Sequence, residues 1–253
     1  MREMLTCHDV YKSYGGVSVL RGVTLDVRAG EILGLIGANG AGKSTLIDII
    51  SGLTPATSGE IRIAGAPILK ASAASRAQSG MARTFQHPQV AGELTLRQNI
   101  LAACAAERLS SGGRALSAFL SGFFHTFTER DDEADGICRQ LGLRDPDRLA
   151  SEVTFGELRL VEFARALIQT PRVVVLDEPF SGVGDEGIAG ILEALRTLRA
   201  TGCAVLLVDH NIDLITPLVD RMVLLAQGEI LVEGDVETCL ASELFRSTYI
   251  GVV

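Results

Sequence analysis

Residues Gly37 to Thr45 read GANGAGKST, a glycine-rich loop that closes on Lys43, Ser44 and Thr45. Such a loop can hold a triphosphate. Gly37 and Gly42 let the backbone turn tightly and aim its N–H groups inward, and a following helix would present its positive end to the phosphates. Lys43 then has the reach for β and γ oxygens, and Ser44 supplies a hydroxyl for Mg²⁺. Asn39, Gly40 and Thr45 complete the candidate contact set. A second pattern lies far along the chain, where Val173 to Pro179 reads VVVLDEP. Four apolar residues predict a buried strand that ends in two carboxylates. Asp177 can hold Mg²⁺ through its water shell, and Glu178 can polarise a water that attacks the γ-phosphate.

These groups need elements that bring them together. The apolar run Ile32–Ile36 before the loop predicts a strand, and Leu46–Ile50 after it predicts a helix. From Val173 the order is strand, helix over 187–199, then strand Ala204–Val208, which predicts a parallel sheet with its strand C-termini on one edge. Leu5–Val10, Val23–Val27 and Glu60–Ile63 carry β-type residues and predict a small antiparallel lobe beside the nucleotide. After about residue 87, helical spacing takes over (Leu96, Ile100, Ala103; Ile137, Leu141), with Gly-Ser breaks over Ser110–Gly113. The expected fold is α/β: a P-loop NTPase core with a mostly parallel sheet, an N-terminal β lobe and an inserted helical subdomain. The expected division is 1–86 with 161–253 for core and lobe, and 87–160 for the helical insert. The apolar stretch Ala115–Phe127 suits either a buried helix or a surface for a membrane partner.

Composition narrows the classes of function. The chain has 253 residues, 47% of them hydrophobic, enough for a sizeable core. A net charge of −8 with dispersed basic residues argues against a nucleic-acid surface. Five scattered cysteines, with no C-x-x-C pair, read as reduced core-filling residues rather than a disulfide framework. No run reaches the roughly 18 apolar residues of a membrane span, and the first residues lack a signal-peptide pattern. A cytoplasmic location is expected, with any membrane attachment supplied by another chain.

Taken with the lysine loop, VVVLDEP makes this chain resemble the ATP-binding subunits of ABC transporters over nearly its whole length. The resemblance implies ATP and Mg²⁺ as ligands and further roles one residue at a time. Tyr14, ahead of the first lobe strands, matches the aromatic that stacks on adenine; its other reading is lobe packing. Gln86, closing ARTFQ, matches the glutamine that senses metal and γ-phosphate. His210 matches the switch histidine on the γ-phosphate. VTFGELR (Val153–Arg159) stands where the family has LSGGQ or a variant such as LSYGQQR, so Thr154, Gly156 and Glu157 fall at the nucleotide-contacting positions, while Leu158 replaces a polar residue. Gly184 stands where Asp or Asn is common.

The family implies a head-to-tail dimer, with a like or unlike ATPase, in which each ATP lies between one chain's Lys43 site and the other's Thr154–Gly156 segment. It also implies permease subunits and, through them, a substrate-binding protein. ARTFQ, VDHNID and the C-terminal GEILVEGD…STYIG resemble the branched-chain or hydrophobic amino acid importers most closely. Two other readings stand beside this one: a hydrolysis-poor partner ATPase, suggested by Leu158 and Gly184, and a soluble ABC ATPase of translation or repair.

Overall fold

The computed structural model describes residues 2–85, 87–109 and 130–250. In chain order the elements are β1 (Glu3–Tyr14), β2 (Val17–Arg28), β3 (Ile32–Ile36), α1 (Lys43–Ser51), β4 (Ser58–Ile63), β5 (Ala66–Pro67), α2 (Ala73–Gln78), β6 (Met81–Arg83), α3 (Leu96–Leu109), α4 (130–140) and α5 (Phe155–Ile168). They continue as β7 (Val173–Asp177), α6 (Asp185–Ala200), β8 (Ala204–Val208), α7 (Ile212–Ile215), β9 (Arg221–Ala226) and β10 (Glu229–Gly234), before short C-terminal helices. The chain forms two compact units.

The first unit comprises Met1–Arg83, Arg172–Glu178 and Arg199–Val253. It holds an antiparallel sheet ordered β2-β1-β4-β5 and a six-stranded sheet ordered β10-β9-β3-β8-β7-β6. In the larger sheet β9, β3, β8, β7 and β6 run parallel, and β10 pairs antiparallel at the edge. β3 (ILGLI) and β8 (AVLLV) are buried at every position, as strands covered on both faces must be. β10 alternates exposed and half-buried residues. Leu46, Ile47, Ile49 and Ile50 of α1 join Leu5, Val10 and Leu20 of the small sheet and Leu33, Val175 and Leu206 of the large one in a single apolar core. Register sets the site, because Leu35 pairs with Val208 and Val208 pairs with Asp177. The ends of β3, β8 and β7 therefore lie level on one sheet edge.

The second unit comprises Thr84–Pro171 and Pro179–Leu198. Its interior is built from α3, α4, α5 and α6, with Leu96, Ile100, Cys138, Val161, Phe163, Ile191 and Leu195 buried. A buried ion network ties the segment after β6 to α5. Arg159 donates to the Phe85 carbonyl and lies 3.4 Å from Glu162 Oε2, while Glu162 Oε1 accepts from Gln89 N at 3.1 Å. Arg165 donates to the Gln89 carbonyl. Burial pushes the Glu162 carboxyl above its ordinary range, and the Gln89 amide and Arg159 pull it back down.

The α/β fold is as the sequence predicts, and all five cysteines are buried free thiols. Two expectations need correction. A boundary at 160/161 would cut α5, a continuous helix over Phe155–Ile168, and the division falls instead at 83/84, 171/172, 178/179 and 198/199. α5 lies wholly within the second unit, which also takes α6 as far as Leu198. Tyr14 does not precede the lobe strands; it closes β1, because the alternating residues from Glu3 onward pair with β2 as far as Tyr14↔Val17. Gln86, Ser110–Gly113 and Ala115–Phe127 lie outside the described residues. Among the described residues no helix is long and apolar enough to cross a membrane.

Candidate nucleotide site

The glycine-rich loop follows β3 directly and feeds α1, whose first residue is Lys43. The loop's shape depends on two glycines. A Cβ on Gly37 would lie 2.2 Å from the Leu225 carbonyl oxygen, and Gly42 has φ +108° with Leu20 Cδ2 2.8 Å from where its Cβ would stand. No other residue fits either position without moving backbone or core. The start of α1 carries no side-chain cap and no acidic residue in its first turn. Its N-terminal N–H groups and dipole are thus left for an anion.

A cavity of about 240 Å³ opens above the loop. It is lined by Asn39, Gly40, Gly42, Lys43, Ser44 and Thr45 on one side and by Asp177 and Glu178 on another, with Val19 and Val208 completing the wall. Residues separated by more than a hundred positions in sequence meet here because β8 fits between β3 and β7. Lys43 Nζ donates to the carbonyls of Gly37 at 2.6 Å and Ala38 at 3.0 Å, so the ammonium is held at the loop itself. Burial lowers its pKa, and the Glu178 and Asp177 carboxylates oppose that shift. A hydroxyl and a carboxylate on one cavity, without sulfur or imidazole among the described lining residues, form a hard-oxygen donor set that suits Mg²⁺.

Asp177 ends β7 and is raised in pKa by burial, with Arg83 pulling the other way. Arg83 was not singled out from sequence. It ends β6 and bridges two carboxylates, Asp48 Oδ1 on α1 at 2.7 Å and Asp177 Oδ2 at 3.3 Å. Its sequence signal is its place in ARTFQ, a segment read there only for Gln86 and for the family resemblance. Glu178 has φ +47°, in the left-handed region that costs a non-glycine residue about 1 kcal/mol, and its N–H donates to the Val208 carbonyl at 2.8 Å. His210 Nδ1 lies 3.4 Å from Glu178 Oε1. Next to it Asp209 is buried, accepts from Asn211 N through Oδ1 at 2.9 Å, and leaves Oδ2 without a hydrogen-bond partner among the described residues.

Tyr14 is not part of this lining. Its ring is half exposed, and the Lys12 ammonium lies 4.5 Å from its centroid. Thr154, Gly156 and Glu157 belong to the second unit, at the start of α5. There a capping box closes the helix: Thr154 Oγ1 accepts from Glu157 N at 3.2 Å, and Glu157 Oε2 accepts from Thr154 N at 2.9 Å. The Thr154 hydroxyl also lies 3.0 Å from Glu157 Oε2, and Arg148 reaches Glu157 Oε1 at 3.2 Å.

A glycine loop between a parallel strand and a helix, opposed by a strand-end Asp-Glu pair, defines a P-loop nucleoside triphosphatase. A family model described as ABC transporter matches residues 20–181. The chain belongs to the ABC transporter family, and is an ATPase of its ATP-binding type. It is similar to a probable branched-chain amino acid transport ATP-binding protein, LivG, of Methanocaldococcus jannaschii, with 31% identity over 98% of each chain. At 30% identity, over 98% of this chain and 97% of the relative, it also resembles the lipopolysaccharide export system ATP-binding protein LptB of Escherichia coli. A nucleotide-free ATP-binding cassette from an ABC transporter superposes with a TM-score of 0.84 at 30% identity, covering 99% of this chain and all of that one.

Proposed function

We propose that this chain powers an importer of branched-chain or other amino acids, closing on ATP as a dimer beneath permease subunits. The observation that carries the reading is the gathering of Lys43, Ser44, Asp177 and Glu178 around one cavity. Lys43 would neutralise β and γ oxygens while the open start of α1 receives the phosphates. Ser44 and Asp177, with Gln86, would hold Mg²⁺, which when bound neutralises phosphate charge and orients the oxygens in line. Glu178 would take the proton of the attacking water, and His210, 3.4 Å from it, would hold that carboxylate toward the γ-phosphate. Tyr14 is read as the adenine platform.

Thr154, Gly156 and Glu157 would cap the ATP of an opposing subunit, since the lysine loop covers a triphosphate from one side only. Permease subunits would carry the motion across the membrane, and a substrate-binding protein would choose the solute. The cytoplasmic membrane face is the location this implies. Likeness to LivG and the ARTFQ and VDHNID segments support import of amino acids; likeness to LptB, an export ATPase, keeps direction as an experimental question. A second reading, a hydrolysis-poor partner in a heterodimer, is favoured by the self-capped α5 and by Gly184. Its test is ATPase activity alone and with a paralogous ATPase.

The deciding experiment is Glu178→Gln. Hydrolysis should fall about 10²- to 10⁴-fold, and the variant should elute from gel filtration as a dimer with MgATP. Elution only as a monomer would refute the dimeric reading.

A further inference from the structure

Arg83 is the strongest candidate outside the residues already assigned. Its side chain is only 10% exposed, and its guanidinium spans two elements of the nucleotide site. One nitrogen donates to Asp48 Oδ1 at 2.7 Å and to Ser51 Oγ at 3.3 Å, both on α1. The other donates to Asp177 Oδ2 at 3.3 Å, at the end of β7. Asp48 stands four residues after Ser44, one turn along the same helix face. Ser51, in turn, is anchored to the helix by its own bond to the Ile47 carbonyl at 2.7 Å. The planar fork therefore sets the spacing between the helix that carries Ser44 and the strand end that carries Asp177.

We infer that Arg83 is a positioning residue for the metal: it fixes one oxygen of Asp177 and ties that carboxylate to α1, so that Ser44 and Asp177 stand ready as a pair. This rests on the reading of Ser44 and Asp177 as the Mg²⁺ ligands. A guanidinium suits the task because it stays charged and donates in two fixed directions at once, which a lysine cannot do. It also offsets the negative charge of two carboxylates that would otherwise repel across the site. Residues that orient metal ligands typically alter metal affinity 10- to 100-fold when changed.

The test compares binding of a fluorescent ATP analogue in Mg²⁺ and in EDTA for the full chain and for Arg83→Met, Arg83→Lys and Asp177→Asn. For wild type, Mg²⁺ should tighten binding. In Arg83→Met that Mg²⁺-dependent gain should shrink about tenfold, while affinity in EDTA stays within about twofold. Arg83→Lys should recover part of the gain, because it restores charge without the fork. A simply misfolded variant would lose binding in EDTA as well; in that event Asp48→Ala, which removes the shorter of the guanidinium's two bonds to α1 and leaves the one to Ser51, should lower the gain by itself. An unchanged gain in a folded Arg83→Met, or a larger one that marks Arg83 as a competitor of the cation, overturns the proposal while leaving the ligand assignment intact. If Asp177→Asn keeps the full gain, the ligand assignment fails and the proposal falls with it.

Discussion

Glu157 governs what the start of α5 can offer to a nucleotide. Its carboxylate accepts from the Thr154 amide and engages the Thr154 hydroxyl, the groups that the family resemblance would turn toward a partner's γ-phosphate. Glutamine at this position keeps a capping side chain and removes the negative charge. Glu157→Gln should therefore raise steady-state ATPase by roughly tenfold, on the order of 1.4 kcal/mol, at saturating MgATP; an unchanged or slower rate would contradict a lid role for α5. Asp209 offers a separate test through stability. Burial holds its carboxyl above the ordinary 3.8, with the Asn211 amide and His210 pulling down. Below pH 3.8 the group is protonated in folded and unfolded chains alike. As pH rises from there through the folded value, the unfolded chain releases its proton first, and stability falls. Asp209→Asn, which can keep the bond from Asn211 N, should melt at higher temperature than wild type at pH 7, with the gap closing below about pH 4. Thermal melts across that range decide it. Neither effect was legible in sequence, where Glu157 was one letter of a degraded motif and Asp209 merely the neighbour of a histidine.

At the level of elements, α1 is a short helix with its two ends in opposite service. The N-terminus is uncapped and faces the cavity, whereas the C-terminus is held by Arg76 of α2, buried and donating to the carbonyls of Ile50 at 2.7 Å, Leu69 at 3.0 Å and Ala71 at 3.0 Å, and to that of Ile49. A cation at the C-terminal end complements the helix dipole and bonds the Ile50 carbonyl, while the Ile49 carbonyl also accepts from the Gly52 amide at 3.2 Å. Arg76→Met should cost about 3 kcal/mol, read from urea unfolding, because it orphans several buried acceptors at once. The helix itself was legible, since Leu46–Ile50 follows the loop with helical periodicity. Arg76 was not, because nothing local marks an arginine in the middle of AASRAQ as the cap of another helix.

The molecule as a whole should respond to its ligand by mass action. MgATP at about 100 times its dissociation constant adds about 2.7 kcal/mol to folded chains, and a chain of this size then melts several degrees higher. Lys43→Ala should abolish that shift, and a shift of wild-type size in the variant would remove the lysine loop from the binding site. The residue types themselves announced this loop: GANGAGKST, VVVLDEP and the fully apolar ILGLI and AVLLV runs specify their own turns, carboxylates and buried strands through short-range sterics and hydrophobic periodicity. Sequence therefore determined the parts, their order and the sheet edge on which they would emerge. It did not determine that β8 lies between β3 and β7, that Leu35, Val208 and Asp177 stand level, that α5 stays whole across residue 160, or that Arg83 clasps Asp48 and Asp177. Those follow from which strands and side chains become neighbours when the core closes. Pairing of that kind depends on burial shared among residues 31 to 173 positions apart, and no local pattern carries it.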